Sequence, residues 1–176
     1  VLENLKALHE AIERGMRAKL PAMKRIEAYP RLGQKIDTPL IAIELNEFEP
    51  GHDDGTGDVP LIARMQARVV FDPIDEGAEL AVREVAARVA MVVHGNTWEL
   101  PITPGKVVQV AEDPFRLQLD TYCVWLVEWT HEFGLGTDLD VIPDGRPIVW
   151  GADPDIGPGN EGQYWDPTDS GAANHE

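Results

Sequence analysis

Glu128 and His131 stand three residues apart in the run 120–133, Asp-Thr-Tyr-Cys-Val-Trp-Leu-Val-Glu-Trp-Thr-His-Glu-Phe. On a helix that spacing aims two metal ligands at one side. The run is rich in β-branched and aromatic residues and holds no Gly or Pro, so it reads as a strand. Residues three apart on a strand point to opposite faces, and the pair is no metal site. Cys123 and His131 do share a strand face, the ingredients of a thiol nucleophile and its base. Eight residues of strand separate them by about 27 Å, so no hydrogen bond can join them. Cys123 therefore reads as a buried structural cysteine.

His52, Asp53, Asp54 and Asp58 lie in a glycine-rich stretch and offer oxygen ligands for a hard cation. They lack the alternation and the closing Glu of a calcium-binding loop, and the stretch reads as a solvated acidic loop. Asp138, Asp140 and Asp144-Gly145 miss the same pattern. Gly134-x-Gly136 follows a strand, but Leu139 and the absence of a helix pattern break the dinucleotide fingerprint. Neither a phosphate-binding loop nor a nucleophile elbow occurs. No catalytic, metal or cofactor-binding residue is expected. Arg64 and Arg68 project from one strand face. They read equally as ions at a subunit contact and as partners of Glu44 or other acids across the sheet, with an anion site as a further reading.

These residues need elements to hold them. Leu5, Leu8, Ile12, Met16 and Leu20 recur at helical spacing and predict an amphipathic helix over 2–20. Pro21 and Pro30 bracket a short strand, Met23–Tyr29. Thr38–Phe48 predicts a strand with Ile41, Ile43 and Leu45 on one face and Leu40 and Ala42 on the other. Residues 49–59 predict an open loop, unusually long for a hairpin and so a candidate partner surface with Phe48 beside it. Leu61–Phe71 has the cleanest period-two pattern, with Arg64, Gln66 and Arg68 turned away from the core. Asp75–His94 predicts a second helix that Gly95-Asn96 ends. Lys106–Ala111 is a short strand in a hairpin with the run 120–133. The order gives an α+β fold: a mixed, mainly antiparallel sheet of four to five strands, two helices packed on one face, and an extended C-terminal arm.

A fourteen-residue strand reaches roughly 45 Å, against a diameter of about 36 Å for a body of ~130 residues. Its end is expected to emerge and need a neighbour's cover, which makes Trp129 an interface candidate while Trp125 stays in the core. The composition changes at Gly134. Residues 134–176 hold nine acids, one base, eight glycines and five prolines, too little apolar surface to fold alone. The domains are then 1–133 and an acidic arm, 134–176, with Trp150 and Trp165 as its candidate anchors. The chain's net charge of −16 argues against binding through phosphate neutralisation and against adsorption to anionic membranes. No apolar run suits a membrane span, the charged N-terminus does not read as a secretory signal, and a lone cysteine suits a reducing compartment.

The order of elements over residues 1–133 carries a resemblance. An amphipathic helix leads into a strand closed by Tyr29-Pro30. The loop 49–59, a strand and a second helix follow, and the last strand ends in Trp-Thr-His-Glu-Phe. This resembles the tail terminator (tail completion) proteins of long-tailed bacteriophages, the group with the lambda terminator and Mu-like minor tail proteins. The resemblance implies a non-enzymatic ring, usually of six subunits, in the virion at the neck end of the tail, assembled in the host cytoplasm. Its partners would be its own copies, the tail tube protein and the head–tail connector, and DNA would pass through without specific binding. The candidate contact residues are Phe48, Glu49, His52, Asp53, Asp54, Arg64, Arg68, Trp129 and Trp150. The alternatives are an acidic DNA mimic that inhibits a nucleic-acid-binding protein, and a neck or connector subunit.

Overall fold

The computed structural model describes residues 2–31, 35–53, 55, 57–113, 119 and 121–136. The chain divides into a unit of residues 1–137 and a second of 138–176. The second, with Trp150 and nearly all of the acidic arm, lies outside the described residues, as does Asp54.

Helix α1 (Leu5–Lys19) starts at Asn4, whose side-chain oxygen accepts the Ala7 N–H at 2.9 Å and satisfies one of the donors a helix leaves open. It buries Leu8, Ile12 and Met16 from the stripe its spacing predicts, with His9 and Ala11 beside them. Helix α2 (Ala78–Val93) buries Ala78, Val82, Ala86, Val89 and Val93. Gly95 follows it at φ 74°, a left-handed position suited to glycine, and ends the helix.

Among the described residues five strands form one sheet: β1 (Arg25–Ala28), β2 (Leu40–Pro50), β3 (Val59–Phe71), β4 (Lys106–Glu112) and β5 (Cys123–Leu135), in the order β1-β2-β3-β5-β4. Only β1 and β2 pair in parallel; the other three pairs are antiparallel. The fold is the α+β arrangement expected. Both helices cover one sheet face, where Ile41, Ile43, Met65, Val69, Val127 and Trp129 join their buried stripes in one core. On the other face Leu40, Ala42, Val70 and Val124 form a second, smaller cluster with Ile36 and Leu119.

Two expectations change. Strands β2 and β3 run further into the predicted loop than the Gly and Asp content suggests, so only residues 51–58 connect them. The end of β5 does not emerge bare. β3 is as long as β5 and pairs with it throughout, from Val59 opposite Leu135 to Phe71 opposite Cys123. Leu2 then crosses the end, its N–H donating to the Gly134 carbonyl at 3.0 Å. Trp129 is fully buried and Phe133 is 4% exposed. Trp129 is thus a core residue, and its contact role fails because the same chain covers it. Burying roughly 200–250 Å² of indole contributes about 5–6 kcal/mol as an upper bound.

Candidate functional site

The sheet face turned away from the helices carries a chain of charges. Arg68 is at its centre: Nη1 meets Glu44 at 2.8 Å, Nε meets Asp113 at 2.6 Å and Nη2 donates to the Gln66 side-chain oxygen at 2.8 Å. Gln66 donates to Glu128 at 2.8 Å. Arg64 closes the row, pairing with Glu128 at 2.8 Å, with Glu47 at 2.9 Å and with Glu49. The hydrogen bonds to Glu49 and then Glu128 hold the Arg64 guanidinium pKa above its ordinary value. Of the readings open for the two arginines, pairing with acids across the sheet is the one found. The Arg68 side chain is 9% exposed and that of Asp113 5%, so these are internal ions and not a free anion site. The alternation of β3 put Arg64, Gln66 and Arg68 on one face; nothing in the sequence named Asp113, 45 residues away, as a partner.

The β2–β3 hairpin holds the other candidates. Phe48 is 38% exposed, and His52 and Asp53 are exposed. The base of the tip is tied down. Gly51 N–H donates to the Pro60 carbonyl at 3.0 Å, and His52 N–H donates to Glu132 at 2.8 Å. The Asp58 carboxylate lies so close to β5 that a Cβ at Gly134 would sit 2.8 Å from it. Glycine is needed there for that close approach. The tip thus presents His52 and Asp53 outward, with Asp58 turned toward β5 and Glu49 held back by Arg64.

Glu128 and His131 lie on opposite faces, as the strand reading requires. His131 is fully buried. Its Nδ1–H donates to the Thr103 carbonyl at 2.8 Å and its Nε2 accepts the Trp98 indole N–H at 2.9 Å. Burial lowers its pKa below the ordinary 6.5, and with Nε2 facing a donor the ring is a neutral structural bridge. Sequence reading missed this bridge, because Trp98 lies in a connector without periodicity.

A half-open cleft of about 440 Å³ lies where β5 begins, between Glu79, Asp113, Tyr122, Cys123 and Trp125. Cys123 is half-buried at its wall and not enclosed as expected. Its thiol donates to Glu79 at 3.4 Å. Burial and then the neighbouring carboxylate push its pKa up, so the thiolate a nucleophile needs is disfavoured. Arg83 pairs with Glu79 at 2.5 Å and lies 5.1 Å from the Trp125 ring centre, which packs the cleft's rim.

Among the described residues no group of three His, Cys, Asp or Glu side chains is placed to hold a metal ion, and no helix is long and apolar enough to cross a membrane. No protein-family model matches the chain, and no curated protein matches it.

Proposed function

We propose that the chain is a structural virion subunit, a tail terminator that caps the tail tube of a long-tailed bacteriophage as a ring and meets the head-side connector. The observation that carries the reading is where the polar residues go. Arg64, Arg68, Glu128 and His131 are all spent on internal bonds. Among the features the described surface offers outward is an acidic hairpin tip on two long paired strands. Such a tip suits contact with another protein subunit better than turnover of a small molecule. The order helix, strand, long hairpin, helix, hairpin follows the order on which the resemblance to the terminators rests. A net charge of −16 per copy gives passing DNA little to adhere to. The DNA-mimic alternative is weakened by residues 1–35, which hold eight bases against four acids. A mimic presents carboxylates, not a basic end.

The test is electron microscopy of tails assembled with and without the protein. Replacing residues 52–57 by a two-residue turn is expected to leave the fold intact and to yield overlong or headless tails. Tails of normal length that join heads would overturn the role of the tip. Twelve copies on the connector side, in place of a ring on the tube, would move the assignment to a neck subunit.

A further inference from the structure

The charge of this chain is divided between two sides of one sheet. Residues 1–35 carry eight of the fifteen Lys and Arg and only four of the thirty-one acids, a net +4 in a chain of −16. They form α1 and β1, which pack together at one edge. Residues 72–113 carry eight acids and three bases, a net −5 of which the internal Asp113 is one charge. They form α2 and β4, and α2 lies across β5, β3 and β4 toward the other edge. Arg14, Lys19 and Lys24 on the first side are exposed, and none forms an ion pair among the described residues. Glu76, Glu84 and Glu112 on the second are likewise exposed. The acidic side also holds five of the eight exposed large apolar side chains among the described residues: Ile74, Leu80, Met91, Val108 and Val110.

We propose that copies associate head to tail, the basic α1–β1 flank of one against the acidic, apolar α2–β4 flank of the next. The proposal deepens the ring reading and rests on it, since a closed ring needs two different, complementary patches on each subunit. Opposite potentials steer such patches together and fix their register, and the apolar side chains supply area that excludes water. The contact is made by side chains and not by strand addition. On β1 the Ala28 N–H already donates to Glu13 at 2.7 Å and the Ile26 carbonyl accepts from Arg17, which closes that edge. β4 carries a register shift between Val107 and Gln109 and begins at Lys106, both features that blunt an edge.

The experiment is sedimentation and native mass measurement on the full chain and two triple variants, Arg14→Glu/Lys19→Glu/Lys24→Glu and Glu76→Lys/Glu84→Lys/Glu112→Lys, with circular dichroism to check folding. The wild type is expected to form oligomers that weaken as salt rises from about 0.1 M to about 1 M, where the screening length drops from about 10 Å to about 3 Å. Each triple variant should associate about tenfold or more weakly. A one-to-one mixture of the two should assemble again, because the reversed flanks complement each other across copies. Wild-type oligomers that both triples leave unchanged would overturn the flank assignment and leave the ring reading standing. Triples that weaken assembly without rescue by mixing would show that the two flanks do not meet each other and would overturn the proposal. A wild type monomeric at every concentration and salt would also overturn the proposal. If a short duplex DNA then binds and the Arg14 triple abolishes that binding, the basic flank is a nucleic-acid site. The ring reading fails separately if the mixing result holds and tails made without the protein are normal.

Discussion

Gly15 is the position where general helix physics and this structure give opposite answers. Gly15 lies inside α1, and replacing a mid-helix glycine by alanine ordinarily stabilises by about 0.8–1 kcal/mol. Here a Cβ would lie 2.6 Å and 2.7 Å from Cε3 and Cζ3 of Trp98. The ring would have to retreat about 1 Å to regain contact distance. It is not free to do so. Trp98 is 4% exposed, its indole N–H is bonded to His131 at 2.9 Å, and its backbone N–H is held by Asn96 at 2.8 Å. Overpacking costs about 1–3 kcal/mol, and a stretched Trp98–His131 bond adds about 1 kcal/mol. Against the propensity gain, Gly15→Ala should destabilise by about 1–3 kcal/mol, or about 2–4 °C in Tm per kcal/mol. Urea unfolding reads this as a lower midpoint at unchanged slope. In a Trp98→Leu background the clash is gone, and the same substitution should stabilise by up to about 1 kcal/mol. The coupling between the two sites would then exceed the ~0.3–0.5 kcal/mol within which independent sites add. A raised midpoint for Gly15→Ala in the otherwise unaltered chain would show that the indole does not rest on this helix.

Two further outcomes follow from the buried polar groups. Arg68→Met removes the guanidinium that pairs with Glu44 and Asp113, whose side chains are 15% and 5% exposed, and should lower the midpoint of chemical unfolding. Arg68→Lys keeps the charge without the planar fork and should recover only part of that; equal stability of Met and wild type would discount the network. His131 has its pKa lowered by burial, so the unfolded chain takes up the proton first. The stability this group contributes is full above about pH 6.5 and drains as pH falls through 6.5 toward the folded value. His131→Gln should unfold with a flatter dependence between about pH 7 and 5.5, and parallel curves would show that the imidazole does not titrate with folding.

Much of the fold was legible because its strands report both faces. In β3 the alternation from Leu61 to Phe71 separated a core face from the Arg64–Gln66–Arg68 face, and the helical spacing in α1 named the residues that are buried. What failed was reasoning from one strand's length. A strand of thirteen residues looks too long for its domain only if its neighbours are shorter, and β3 matches it residue for residue. The candidate contact residues divided along the same line. His52 and Asp53 stayed on the surface because a turn has no ladder to bury them, and Phe48, though paired with Ala63, stays 38% exposed. Arg64, Arg68 and Trp129 were drawn inward by partners on other strands, which a linear pattern does not report. Cys123 was placed on the correct face, but the cleft at its side depends on how α2 begins, two elements earlier in the chain.

The location of charge also bears on how copies can meet. One sheet face is covered by helices. The other is filled by apolar side chains at one end and by the arginine network along its middle. A partner approaching that network would have to displace Glu44, Glu128 or Asp113 from arginines that already satisfy them, and breaking a buried pair costs more than a new surface pair returns. The edges are plugged on one side and irregular on the other. Among the described residues that leaves the two flanks and the hairpin tip as surfaces where contact costs little. The flanks carry opposite signs, so pairing unlike flanks is favourable while pairing like flanks is not. In the association proposed above, these opposite signs favour a directional, repeating contact over a two-fold dimer and leave the hairpin tip for a second kind of partner.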